Sequence, residues 1–121
     1  MGNKKEELPI RVAVVGAGYW GPNLIRDFSS LANSEVAIVC DLNSDRLAEV
    51  SSQYPHIRTS EELGLILTDP EIEAVVVATP ADRHREVAEK CLKAGKHVFV
   101  EKPLATSVAD AQAIVTVAEE N

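Results

Sequence analysis

The 121-residue sequence predicts an α/β fold built on a doubly wound parallel sheet. Four short runs rich in β-branched residues and poor in charge occupy residues 10–15, 35–40, 73–78 and 97–100. Nearly continuous apolar strands are typical of sheets covered on both faces. Segments with helical spacing separate these runs, and such alternation predicts parallel strands joined by right-handed crossovers. Including a weaker extended segment at residues 56–59, which predicts a short edge strand, the expected order is βαβαβαβαβα.

The helices are indicated by apolar residues that recur every three or four positions. Four segments show this spacing: Trp20, Leu24, Phe28 and Leu31; Leu47, Val50 and Tyr54; Val87, Cys91 and Ala94; and Val108, Ala111, Val115 and Ala118. Residues that commonly cap helix N-termini precede three predicted helices: Asn43 or Ser44, Thr59 with Glu62, and Ser107 with Asp110. Gly95 stands where the fourth helix is expected to end.

Charge and composition narrow the classes of function. Twelve basic and nineteen acidic residues give a formal net charge of −7, which disfavours binding to nucleic acid or to an anionic membrane. No apolar run reaches the roughly 18 residues of a membrane span, and residues 1–8 are expected to form a flexible tail rather than a signal peptide. Cys40 and Cys91 are isolated and apolar in context, so we expect two packing residues, no metal site and a cytoplasmic location.

Three glycines follow the first predicted strand. Gly16, Gly18 and Gly21 fit the pattern G-x-G-x-x-G between a strand and a helix. In dinucleotide-binding folds these glycines allow the tight turn, the approach of a pyrophosphate and helix packing, and the phosphates meet the N-terminus of the helix. We expect the backbone amides of Tyr19 and Trp20 to contact phosphate, with the Trp20 side chain packed inward. The alternative is that the glycines only form a tight turn.

An acidic residue at the end of the second predicted strand supports the dinucleotide interpretation. Asp41 follows that strand and lies 20 residues after Gly21, where a carboxylate can accept hydrogen bonds from the adenosine ribose. Such a carboxylate repels the 2′-phosphate of NADP, and neither Leu42 nor Asn43 offers an arginine to bind it. NAD is therefore the expected cofactor, in preference to NADP. The alternative is that Asp41 only begins the following helix.

Two further groups follow predicted strands. Thr79-Pro80 comes after the fourth strand, and Glu101-Lys102-Pro103 comes after the fifth. Ligands of open α/β sheets bind at the carboxyl ends of the strands, near the switch in strand order. The sequence therefore places both groups at the edge where the glycine turn is expected.

These features together resemble one known family. From about residue 10 onward the chain is similar to the Gfo/Idh/MocA family of NAD(P)-dependent sugar oxidoreductases. The resemblance is carried by G-A-G-Y-W-G, Asp41, Thr79-Pro80 with His84, and E-K-P after K-H-V-F-V. The variant Y-W-G-P-N resembles members that oxidise nucleotide-activated amino sugars.

The resemblance assigns roles to the later residues. Lys102 is expected beside the nicotinamide and the reacting carbon, where it orients the hydroxyl and assists proton transfer, and Glu101 is expected to line the nicotinamide ribose. Pro103 is expected to hold a turn through a cis peptide bond. The alternative for Glu101 and Lys102 is a solvated charged pair.

The resemblance also implies a cofactor-side loop. Thr79, Pro80 and His84 match that loop, in which the backbone and the histidine contact NAD. The alternative for His84 is an exposed residue without a role, since Arg83 and Arg85 flank it.

The chain is much shorter than members of this family. They carry a second, α+β domain that forms the substrate pocket and supplies a further acid/base residue, commonly histidine. We expect residues 9–121 to be a Rossmann domain truncated before the sixth strand and the substrate domain. It should bind NAD, but it should not turn over a sugar by itself.

Three functions compete. The leading hypothesis is the NAD-binding part of a sugar, nucleotide-sugar or cyclitol dehydrogenase, with the substrate held only in the full-length protein. The second is a non-catalytic NAD-binding module for redox sensing or assembly. The third is a methyltransferase that uses S-adenosylmethionine, which the E-K-P element disfavours. Association into a homo-oligomer through an exposed sheet edge remains an open expectation.

Overall fold

The computed structural model describes residues 8–18 and 21–121. Its strands are β1 (Ile10–Val15), β2 (Ser34–Cys40), β3 (Arg58–Ser60), β4 (Ala74–Val77) and β5 (His97–Val100). Its helices are α1 (Gly21–Ser30), α2 (Ser44–Gln53), α3 (Gly64–Leu67), α4 (His84–Lys93) and α5 (Val108–Glu120), and a 3₁₀ turn at Ala81–Arg83 precedes α4. Of the tail predicted for residues 1–8, all but the exposed Leu8 lies outside the described residues.

The five strands form one parallel sheet in the order β3-β2-β1-β4-β5. The chain winds outward from β1 to β3, then crosses to β4 and winds the other way to β5. The predicted doubly wound sheet is therefore confirmed. Its switch in strand order lies between β1 and β4, whose last residues, Val15 and Val77, pair with each other.

Helices cover both faces of the sheet. Val12 and Val14 of β1 belong to a buried cluster that includes side chains of α1 and α2. Ala13 and Val15 belong to a second buried cluster, which includes side chains of α3 and α4. Because successive strand residues point to opposite faces, the apolar strand predicted from sequence fills both cores.

Three of the predicted helix ends are confirmed. The Asn43 side chain accepts hydrogen bonds from the backbone N–H groups of Asp45 and Arg46 at the start of α2. At the start of α5, the Ser107 hydroxyl accepts one from the Asp110 N–H at 3.1 Å. Gly95 ends α4 with a φ of +84°, a conformation that favours glycine.

The region around β3 differs from the prediction. The strand lies at Arg58–Ser60 rather than at residues 56–59, and Ile57 is buried in the core. The capping box expected from Thr59 and Glu62 is wrong. Instead, the Ser60 hydroxyl accepts the Glu62 N–H at 2.9 Å, and the four-residue α3 begins at Gly64. A hydroxyl two residues before the N–H forms this local turn in place of a cap.

The apolar stripe predicted for α5 is also wrong. Val108 and Val115 are exposed, whereas Ile114 is only 5% exposed. The helix is apolar on most of its circumference, so spacing alone does not select a face, and packing against α4 selects the one that holds Ile114. None of the helices in the described part of the chain has the length and apolar character needed to span a bilayer.

Candidate functional site

A cleft of about 840 Å³ opens at the carboxyl ends of β1, β2, β4 and β5. It brings together most of the residues that the sequence selected: Gly16, Gly18, Asp41, Thr79, Pro80, His84, Glu101 and Lys102. Gly21 begins α1 beside the same turn. The predicted phosphate contacts of Tyr19 and Trp20 lie outside the described residues. The cleft includes the switch point between β1 and β4, the usual ligand position in a sheet of this kind.

The glycine turn is shaped by close backbone approaches. Gly16 has a φ of +103°, and a Cβ on it would lie 2.7 Å from the carbonyl carbon of Ala78. A Cβ on Gly21 would collide with the carbonyl oxygen of Gly16. A Cβ on Gly18 would meet only the guanidinium of Arg46, which is the far end of a flexible side chain. Gly16 and Gly21 are therefore required by the turn itself. Gly18 leaves space in the cleft that a side chain would fill.

Asp41 joins the glycine turn to the start of α2. Its Oδ2 accepts the Ala17 N–H at 2.7 Å, and its Oδ1 accepts the Asn43 N–H at 2.7 Å. The side chain is 7% exposed. The carboxylate thus points towards the glycine turn. Its bond to the Asn43 N–H also forms a turn at the start of α2, as expected if Asp41 begins the helix.

Arg46 is a cleft residue that the sequence analysis missed. Its Nη1 lies 3.9 Å from Oδ2 of Asp41, and its guanidinium covers Gly18. Leu42 and Asn43, the two residues after Asp41, offer no arginine, but the first turn of α2 returns Arg46 to the carboxylate. The predicted cap at Asn43 was the available signal, because it places Arg46 in that first turn.

The Thr79-Pro80 segment follows β4 along the cleft. The carbonyl of Pro80 accepts the Arg83 N–H at 2.9 Å and so forms the 3₁₀ turn before α4. The Thr79 hydroxyl oxygen is buried and has no hydrogen-bond partner among the described residues. A buried hydroxyl without a partner is uncommon, so Thr79 is a candidate contact for a ligand.

The Glu101-Lys102-Pro103 segment follows β5. The Glu101 N–H donates to the Val77 carbonyl at 3.0 Å and extends the sheet by one residue. The Glu101 carboxylate accepts the Lys102 N–H at 3.0 Å. Within residues 8–18 and 21–121, the exposed Lys102 ammonium forms no salt bridge, and the choice between a role in the site and a solvated charged pair stays a prediction. The peptide bond between Lys102 and Pro103 is cis, as the resemblance implied.

The alternative that His84 is an exposed residue without a role is wrong about its exposure. The residue is 1% exposed at the start of α4. Its Nε2 lies 2.8 Å from the Thr79 carbonyl oxygen, and its Nδ1 lies 2.8 Å from that of Pro103. Contact with a cofactor stays a prediction, but both ring nitrogens already face backbone carbonyls. The spacing to Val87 and Cys91 was the missed signal, since these three residues share the buried face of α4.

The two cysteines are poor nucleophiles. Burial raises the pKa of the Cys40 thiol, and the neighbouring charge of Asp41 raises it further. Burial raises the pKa of the Cys91 thiol to about 11. Both thiols are free and buried, in agreement with the packing role expected from sequence. The described residues contain no group of three or more His, Cys, Asp or Glu side chains arranged to hold a metal ion.

The sheet, its switch point and the glycine turn define a dinucleotide-binding α/β protein of the Rossmann type. The chain belongs to the Gfo/Idh/MocA family: the family model described as "Oxidoreductase family, NAD-binding Rossmann fold" matches residues 10–121. The resemblance, the fold and an NAD-binding domain are therefore confirmed.

Curated relatives agree with this family. The chain is 33% identical over 111 residues to 4-carboxy-2-hydroxymuconate-6-semialdehyde dehydrogenase of Sphingobium sp., an alignment that covers 92% of this chain and 35% of the relative. It is 36% identical over 107 residues to inositol 2-dehydrogenase of Mycolicibacterium smegmatis, covering 88% of this chain and 31% of that protein. The chain thus spans about a third of the length of these relatives.

A solved structure gives the same fold. The crystal structure of GenD2, from gentamicin A biosynthesis, in complex with NAD superposes with a TM-score of 0.87 at 30% sequence identity. The match covers 93% of this chain and 32% of that one. A protein with this fold is therefore known with NAD bound.

Proposed function

We propose that this chain is the NAD-binding part of a dehydrogenase that moves a hydride between a secondary alcohol carbon of a sugar, nucleotide sugar or cyclitol and nicotinamide. The observation that carries the proposal is that Glu101 and Lys102 line the same cleft as the glycine turn and Asp41. The cleft volume of about 840 Å³ lies in the range of small-molecule sites. Relatives named inositol 2-dehydrogenase favour a cyclitol or a related polyol.

The residues of the cleft fit a dinucleotide. Gly16 and Gly21 lack side chains where a Cβ would collide with backbone, and the first N–H groups of α1 follow the turn. Each carboxylate oxygen of Asp41 accepts one backbone N–H and keeps acceptor capacity for ribose hydroxyls. The buried Thr79 hydroxyl is an unused hydrogen-bonding group in the cleft.

We propose that Asp41 also gives the chain a preference for NAD over NADP. A 2′-phosphate at the ribose would approach a carboxylate that is 7% exposed, where repulsion is weakly screened by solvent. Arg46 lies 3.9 Å from this carboxylate and compensates part of its charge. We propose that the chain prefers NAD despite the presence of Arg46, because the Arg46 guanidinium is already paired with Asp41 rather than free to bind a 2′-phosphate.

The residues proposed to assist hydride transfer lie in the segment after β5. When bound, the nicotinamide supplies the group that accepts or gives the hydride. Lys102 would orient the substrate hydroxyl and accept its proton at Nζ as the hydride leaves the adjoining carbon, and it would return that proton to the oxygen in the reverse direction. Glu101 lies on the ribose side, with its carboxylate held by the Lys102 N–H.

Because the chain spans about a third of the length of its relatives, we infer that it is part of a longer protein. The test uses that longer protein, assayed for NADH formation with NAD and a panel of sugars and cyclitols. Lys102→Met should lower kcat about 100-fold, the scale of losing one acid/base group, and leave the KM for NAD within about twofold. Lys93→Met is the matched control, because Lys93 is an exposed lysine at the end of α4, and it should keep full kcat. Full activity of Lys102→Met would contradict the proposed role.

A second candidate function is a non-catalytic NAD-binding module that senses redox state or assembles with a partner. It is favoured by Phe99, which is 51% exposed on β5, an outer strand of the sheet. Such a side chain fits packing against another part of the protein, or against a second copy in a homo-oligomer. NAD binding without turnover of any panel substrate by the longer protein would favour this candidate.

The proposed enzyme binds its cofactor and its substrate in separate domains. We propose that residues 9–121 form its dinucleotide-binding domain, in agreement with the family match to residues 10–121. A separate domain of the longer protein would hold the substrate and supply a further acid/base residue. We place this enzyme in the cytoplasm, which agrees with two free cysteines, and cell fractionation tests this location.

A further inference from the structure

His84 connects the two loops that carry the candidate contacts of the cleft. Its Nε2 lies 2.8 Å from the carbonyl oxygen of Thr79, five residues earlier in the chain. Its Nδ1 lies 2.8 Å from the carbonyl oxygen of Pro103 and 3.2 Å from that of Leu104. One buried ring therefore spans the segment after β4 and the segment after β5.

The loop that contains Lys102 has few other attachments. The Glu101 N–H donates to the Val77 carbonyl, which is the last ladder bond of β5. The Lys102 N–H donates only to the neighbouring Glu101 side chain. Apart from that bond, residues 102–106 make hydrogen bonds to the rest of the described chain only through the Pro103 and Leu104 carbonyls, which face His84. Beyond Glu101, the ring thus supplies the contacts between this loop and the segment after β4.

We propose that His84 is a positioning residue, which fixes the Pro103 carbonyl relative to the Thr79 carbonyl and so sets where Lys102 lies in the cleft. The inference rests on the proposed function of Lys102. His84 does not need to touch the cofactor or the substrate in this role. Its two nitrogens face different loops, because Nδ1 faces the segment after β5 and Nε2 faces the segment after β4. Since carbonyl oxygens only accept, both contacts are hydrogen bonds when each ring nitrogen carries a proton.

The two nitrogens can be separated by substitution. The amide nitrogen of asparagine takes approximately the place of the ring δ nitrogen, and that of glutamine takes the place of the ring ε nitrogen. Carbonyl oxygens only accept, and both amides can donate. His84→Asn should therefore keep the bond to Pro103 and lose the bond to Thr79, while His84→Gln should do the reverse.

The experiment is amide hydrogen exchange in the 121-residue chain. The Glu101 N–H, bonded to Val77 at 3.0 Å, reports on the segment after β5, and the Ala78 N–H, bonded to Val15 at 2.8 Å, reports on the segment after β4. The Gly16 N–H, bonded to Cys40 at 2.8 Å, is the reference amide. His56→Gln is the control variant, because that histidine is exposed.

The expected result is a reciprocal pattern. His84→Gln should speed exchange at Glu101 about tenfold, the factor for one hydrogen bond of typical net strength, and leave Ala78 within about threefold. His84→Asn should speed exchange at Ala78 and leave Glu101 near its original rate. Gly16 should be unchanged in both variants, and His56→Gln should change none of the three amides.

A purely structural role would give another result. Equal acceleration at Glu101, Ala78 and Gly16 in both variants would mean that His84 only stabilises the fold, and it would overturn the inference. No change at Glu101 in His84→Gln would overturn it as well.

Kinetics of the longer protein link the pattern to Lys102. His84→Gln should lower kcat about tenfold with the KM for NAD unchanged, and His84→Asn should restore most of it; equal kcat values in the two variants would overturn the inference. Failure of the proposed function appears separately, as full activity of Lys102→Met in a chain with His84 intact.

Discussion

Gly16 offers the sharpest test of how the glycine turn is built. In Gly16→Ala, an L-residue must adopt a φ of +103°, and its Cβ must fit 2.7 Å from the carbonyl carbon and oxygen of Ala78. The backbone strain costs about 1–2 kcal/mol. The close approach is to backbone, which cannot move aside without shifting the end of β4, and overpacking of this kind costs about 1–3 kcal/mol. We therefore expect a loss of roughly 2–5 kcal/mol in the free energy of unfolding.

Two other glycines separate these contributions. Gly95 has a φ of +84° but nothing within 4 Å of an added Cβ, so Gly95→Ala should show only the strain of about 1–2 kcal/mol. Gly64 has neither a positive φ nor a nearby atom, so Gly64→Ala should stabilise the chain by about 0.4–1 kcal/mol. Urea unfolding of all three variants measures the series. If Gly16→Ala costs no more than Gly95→Ala, the turn is not packed against β4 as described.

Two further predictions concern Cys91 and the start of α2. Burial raises the pKa of Cys91 to about 11 from the usual 9.0 of a thiol, so the unfolded chain loses this proton first as pH rises. Stability should therefore fall by roughly 2–3 kcal/mol between these two pH values. Urea unfolding at a series of pH values should show a shallower decline for Cys91→Ala, and equal slopes would contradict the assignment. Asn43→Ala removes the acceptor for two backbone N–H groups and should cost about 1 kcal/mol, whereas Ser44→Ala should cost nothing; the reverse order in thermal unfolding would identify Ser44 as the cap.

The order of elements and the glycine turn could be predicted because their causes are local. Each apolar strand needs two covered faces, and each is followed by a helix with its own spacing and, for α2 and α5, its own cap. Gly16 and Asp41 could be placed near each other because the carboxyl ends of neighbouring parallel strands meet at one edge. These conclusions need no knowledge of side-chain contacts.

The errors arose where tertiary packing chooses among locally equivalent options. Ile114 and Val115 both satisfy helical spacing, and only the contact with α4 decides between them. The charged neighbours of His84 favour an exposed side chain, whereas the folded chain buries it, with Nδ1 facing the loop after β5 and Nε2 facing the segment after β4. The predicted cap at Asn43 places Arg46 in the first turn of α2, but its approach to Asp41 also depends on the direction in which α2 leaves β2.

Calorimetric titration of the chain with NAD tests the central claim, that the glycine turn and Asp41 together hold this cofactor. Parallel titrations use NADP and S-adenosylmethionine, and the variants are Asp41→Asn and, as a control, Asp45→Asn, whose exposed carboxylate lies one turn along the same segment. We predict that the chain binds NAD in preference to both other ligands. Asp41→Asn should weaken NAD binding about tenfold, the scale of one charge-assisted hydrogen bond, with less than about twofold change in Asp45→Asn. Equal affinity of the Asp41→Asn variant and the original chain for NAD would contradict the claim.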